Sequence, residues 1–141
     1  MPITSLNTNP TASSGLRTRQ TITITTGGLL AGQSAKLLIP TGYKTFEILQ
    51  VSTNALSRIR IYNNATYQIN DEGRSMETEA IGDVGLLFEG VTSNAYSIIN
   101  LSPITIVSAI PVSEQIAITI NNISSLAVAS ITTELLIIGI E

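Results

Sequence analysis

The feature that most restricts what this chain can become is an alternation of Ile with Thr, Arg or Ala at every second residue. It recurs in Gln20-Thr-Ile-Thr-Ile-Thr-Thr26, in Ser57-Arg-Ile-Arg-Ile-Tyr62 and in Gln115-Ile-Ala-Ile-Thr-Ile120. A period of two puts alternate side chains on opposite faces of a pleated strand, so each segment reads as a strand with one buried face. Ile, Thr and Val are stiff about χ1 and suit a pleated surface better than a helix. No stretch carries the 3.6-residue apolar period of an amphipathic helix.

The same reading extends to residues 34–39, closed by the turn signal Pro40-Thr-Gly42, and to residues 43–52, 84–91, 95–101, 104–108 and 127–138. Within 43–52 the apolar positions run Phe46, Ile48, then Leu49, Val51, a slip of one that predicts a β-bulge. Residues 63–83 lack strand periodicity and read as a long connection between sheets. A single helical turn over 65–69, capped by Asn63 or Asn64, is expected inside it. About eight short strands separated by turns imply an all-β fold: one antiparallel β-sandwich or jelly-roll-like domain over residues 19–141. Residues 1–18 are rich in Ser, Thr, Asn and Pro and cannot bury enough apolar surface to order alone. They read as an N-terminal arm that is either flexible or ordered on a neighbouring subunit, with Ile3, Leu6 and Leu16 as anchors.

Charge is scarce. The chain has seven basic and ten acidic residues, 12% charged, where a soluble domain carries roughly a quarter. Much of its surface is therefore hydroxyl, amide and exposed aliphatic, which suits a protein covered by neighbours in an assembly. A net charge of −3 argues against a nucleic-acid partner, which needs clustered Lys and Arg. With no Cys and no His, thiol nucleophiles, thiolate or imidazole ligands and the commonest general base are missing. No catalytic residue, metal site or cofactor is expected, and the chain is not expected to be an enzyme. Apolar runs such as that from Leu135 to Ile138 fall far short of the roughly 20 residues a membrane helix needs, so membrane insertion is not expected. Nor do the first twenty residues read as a signal peptide, and a soluble chain is expected.

Asp71, Glu72, Glu77, Glu79 and Asp83 crowd the long connection. Calcium favours several oxygens on flexible backbone, but their order does not fit an EF-hand and Arg74 sits among them. The favoured reading is a solvated loop with a local Asp71–Arg74 pair. Arg58 and Arg60 share the polar face of their strand with Tyr62. They read either as solvated sheet charge or as a stripe that pairs with carboxylates of another subunit. Four Tyr and no Trp make a poor sugar platform, with Tyr62 and Tyr67 the residues a glycan would stack on. Leu126 to Ile140 is expected to form part of the buried core and of an intersubunit face, with Leu136 and Ile138 the positions where Lys would disturb assembly.

Read in order, Arg58-Ile-Arg60-Ile-Tyr62, Asp71-Glu-Gly-Arg74, Gly85-Leu-Leu-Phe-Glu89, Leu101-Ser-Pro103 and Ile118-Thr-Ile-Asn121 form a pattern. Over about residues 46 to 138 it resembles a family of small bacteriophage virion structural proteins. The chain departs from that family where residues 63–70 replace an Ala- and Arg-rich run. The resemblance implies a structural protein of the virion, made in the host cytoplasm. Its place would be the viral tail, at the baseplate or fibre attachment, or alternatively the capsid exterior as a decoration (cement) protein. It implies a homo-oligomer, a trimer by analogy with phage β-proteins, in contact with other virion proteins. A carbohydrate-binding module that recognises host-surface glycan is the alternative of another class.

Overall fold

The computed structural model describes residues 18–80, 85–94, 97–109 and 113–140. Eight strands form: β1 (Arg19–Thr25), β2 (Ser34–Pro40), β3 (Thr45–Thr53), β4 (Ser57–Tyr62), β5 (Leu86–Val91), β6 (Ile98–Ser108), β7 (Gln115–Asn122) and β8 (Thr132–Gly139). A six-residue helix, α1 (Ala65–Asn70), lies between β4 and β5. Two four-stranded antiparallel sheets result, in the orders β1-β8-β3-β6 and β2-β7-β4-β5. Strand 1 thus pairs with 8, 2 with 7, 3 with 6 and 4 with 5, as if one long hairpin had been rolled up. That is the jelly-roll arrangement, and its two layers form the expected all-β sandwich.

Alternation decides which side chains fill the space between the sheets. Ile24, Phe46, Ile48, Val51, Leu135 and Ile137 come from one sheet, and Ile59, Ile61, Phe88, Ile116, Ile118 and Ile120 from the other. The parity slip in β3 is a β-bulge: register shifts between Ile48 and Gln50 against both β6 and β8. Leu49 is the extra residue, and Val51 thereby returns to the core at full burial. The segments read separately as 95–101 and 104–108 contribute to one strand, β6, whose register against β3 jumps from Thr105 to Asn100.

The two sides of the sandwich differ. On one, β5 and β6 approach each other. Gly90 makes that approach possible, because a Cβ there would run into the Phe88 ring and Ile99. On the other, β1 and β2 make no comparable approach. Their inward residues Ile22, Ala35, Leu37 and Ile39 pack on the core but are only partly buried.

Candidate functional site

The excursion from β4 to β5 folds back over the outer face of the β2-β7-β4-β5 sheet. Asn64 starts it as the N-cap of α1, its Oδ1 accepting from the Tyr67 backbone N–H at 3.0 Å. Gln68, on the sheet-facing side of α1, donates from Nε2 to the Ile118 carbonyl at 2.8 Å and to Thr119 Oγ1 at 3.2 Å. Gly85 ends the excursion with φ +62, a left-handed conformation, and a Cβ there would occupy the space of the Tyr67 ring.

Under this cover lie the polar-face residues of β4. Arg58, Arg60 and Tyr62 are 4%, 2% and 0% exposed. The expectation of a solvated charge, or of a stripe open to another subunit, is therefore corrected: their own chain buries them. Arg58 Nε donates to Glu89 Oε2 at 2.7 Å, and its Nη1 to the Arg74 carbonyl at 2.9 Å. Arg60 Nη1 donates to the Asp71 carbonyl at 3.0 Å and stands 3.7 Å from the Asp71 carboxylate. Tyr62 donates its hydroxyl to Asp71 Oδ2.

Asp71 is the hub. Arg74 grips it in a fork, Nε to Oδ1 at 2.7 Å and Nη2 to Oδ2 at 2.9 Å, and also reaches Glu89 Oε1 at 2.9 Å. The Asp71–Arg74 pair forms as expected, but Asp71 is buried rather than solvated. Burial by itself would raise the Asp71 carboxyl. Hydrogen bonds from Arg74 and Tyr62, with the charges of Arg74 and Arg60, win and hold it below the ordinary carboxylate value. Desolvation, then the hydrogen bond to Asp71, pushes the Tyr62 hydroxyl well above its ordinary value. The bond to Asp71 likewise raises Arg74.

Three guanidinium groups thus meet two carboxylates, main-chain carbonyls take further donors, and Arg60 Nε has no partner among the described residues. Both Asp71 oxygens are occupied, so this carboxylate is committed to the network. Among the described residues, no three Asp or Glu side chains gather as a metal site would need. The network acts as a clamp that fixes the excursion to the sheet. Three pieces of the sequence pattern meet in it: Arg58, Arg60 and Tyr62 from the first, Asp71 and Arg74 from the second, Glu89 from the third.

The opposite outer face, that of β1-β8-β3-β6, has no such cover among the described residues. Leu135 and Ile137 point into the core, while Leu136 and Ile138 point outward and are half-buried. Ile138 lies opposite Glu47 of β3, which lies opposite Ile106 of β6; Ser52 links Glu134 to Ile98 in the same way. Ile98 and Ile106 are 52% and 59% exposed. Ile3, Leu6 and Leu16 fall outside the described residues. Tyr62 offers no ring to a sugar, and Tyr67 is half-buried against Gly85.

Sequence reasoning missed Glu89, which joins the network through strand pairing alone. It also missed Asn122. Asn122 is fully buried, donates to the carbonyls of Leu29, Leu30 and Leu126, and accepts from Ser124. Beside it, a hollow of about 410 Å³ opens between the loops at that end of the sandwich, lined by Asn54, Leu56, Asn94, Ser124, Ser125 and Leu126 among others. Comparison with known proteins finds no matching family model, no matching curated protein and no matching solved structure.

Proposed function

We propose that this chain is a non-enzymatic structural subunit of a bacteriophage virion that assembles with copies of itself and with other virion proteins. The observation that carries assembly is the uncovered sheet face, where Leu136, Ile138, Ile98 and Ile106 stand partly or largely exposed, interspersed with Arg19, Glu47 and Glu134. Exposed aliphatic side chains on the face of a chain this poor in charge favour association. The virion setting rests on the sequence pattern, whose charged members share one structural task, clamping the excursion. A tail position, at the baseplate or fibre attachment, is favoured over decoration of the capsid, and a trimer over other oligomers.

Two measurements test this. Light scattering on the purified chain should give a defined oligomer, and a monodisperse monomer at high concentration would refute assembly through this face. Separating purified tails from purified heads on a gel should place the chain with tails. Presence in heads alone would transfer it to decoration, and absence from both would refute the virion reading. The glycan-binding alternative no longer has Tyr62 as a platform.

A further inference from the structure

Resting on that reading of assembly, we propose that the open side between β1 and β2 receives the N-terminal arm of a second copy, added as a strand along the free edge of β1. Three observations converge on this edge. First, the inward side chains of the two edge strands, Ile22, Ala35, Leu37 and Ile39, are core residues left partly uncovered, whereas Phe88 and Ile99 close the opposite side at Gly90. An extended segment with small aliphatic anchors matches such a slot.

Second, β1 carries fewer of the devices that discourage strand addition. β2 has Lys36 near its middle and ends at Pro40; β1 has a single charge, Arg19 at its start, and no Pro. Its outer edge is unpaired among the described residues, and the N–H and C=O groups there are a template for a partner strand.

Third, the sequence supplies a matching occupant at that place. Seventeen residues precede Thr18 and lead directly into β1. Met1 to Leu16 contains no charged side chain and carries Ile3, Leu6 and Leu16. Fully extended, seventeen residues reach roughly 56 Å, against about 23 Å for the seven residues of β1. The chain enters the sheet at Arg19, so an arm pairing with its own β1 would first have to reverse direction.

The absence of Cys makes the test direct. Chains carrying Leu6→Cys are mixed with tag-lengthened chains carrying Thr23→Cys and treated with a short bis-maleimide. The mixed dimer should appear on a denaturing gel. Removing residues 1–17, or substituting Ile3→Asp with Leu6→Asp in the full chain, should reduce the light-scattering mass to that of the monomer while β-type circular dichroism persists. A Leu6→Cys/Thr23→Cys double variant that cross-links only within one chain would overturn the proposal, because the arm would then cover its own subunit. An oligomer unchanged in both arm variants would overturn it too while leaving assembly through the sheet face intact. A monomeric full-length chain would remove both readings together.

Discussion

The outer faces of the two sheets present the same problem and meet it differently. Over β2-β7-β4-β5, the chain supplies its own cover: α1 and the turns after it bury Arg58, Arg60 and Tyr62 behind a network centred on Asp71. Over β1-β8-β3-β6 no excursion returns among the described residues, and aliphatic side chains meet solvent. The polar face is thus closed inside the subunit, and the apolar face is left available to another molecule. A buried ion network contributes little net stability over apolar packing, but breaking it is costly because the surviving charges remain buried. Charge and register thereby fix where the excursion docks, while the other face presents aliphatic side chains interspersed with a few charges.

This contrast can be broken from its strongest point downward. Asp71→Ala leaves Arg60 and Arg74 without their carboxylate and should cost about 3–5 kcal/mol, read from the urea midpoint. A midpoint that hardly moves would mean the excursion is held by packing instead. Tyr62→Phe keeps the ring and removes one buried hydrogen bond to a charge, so its cost should be about 1–3 kcal/mol. Its sum with Asp71→Ala should exceed the double variant, since the two residues share one bond.

Acid should attack the same place. Asp71 is held below its ordinary value of 3.8, so its contribution is complete above that pH and fades as pH falls through the lower value it has when folded. Thermal melts from pH 6 to pH 2 should show a loss of stability below about pH 4 that Asp71→Asn largely removes. If both chains lose stability in parallel, other carboxylates govern the acid limb. The smallest effect on folding belongs to the other face. Leu136→Lys with Ile138→Lys should change the unfolding free energy by less than about 1 kcal/mol, because long Lys stems can lie along a half-exposed surface. The same pair should abolish the oligomer seen by light scattering. A large loss of stability with assembly retained would reverse the roles assigned to the two faces.

Several of these features can be read without a structure, because they are local. Alternation at Ile59 and Ile61 identifies a strand, the slip between Ile48 and Leu49 announces a bulge, and Asn64 before Ala65 marks a helix start. Asp71 and Arg74 lie three residues apart, so their pairing needs only a turn.

What the period of two leaves open is the environment of each face. Arg58, Arg60 and Tyr62 alternate with Ile whether water or protein lies over them, and only the return of the excursion decides. Glu89 enters the network because β5 pairs with β4 and sets it opposite Arg60. Asn122 is buried because loops after β1 and β7 converge on it. By itself the sequence determined the strands, their inward residues and the shortage of charge, since each depends on neighbours a few bonds away. The tertiary structure alone decided which outer face is covered and which edge stays open. Those depend on strand pairing across tens of residues, and a short-range pattern carries no record of it.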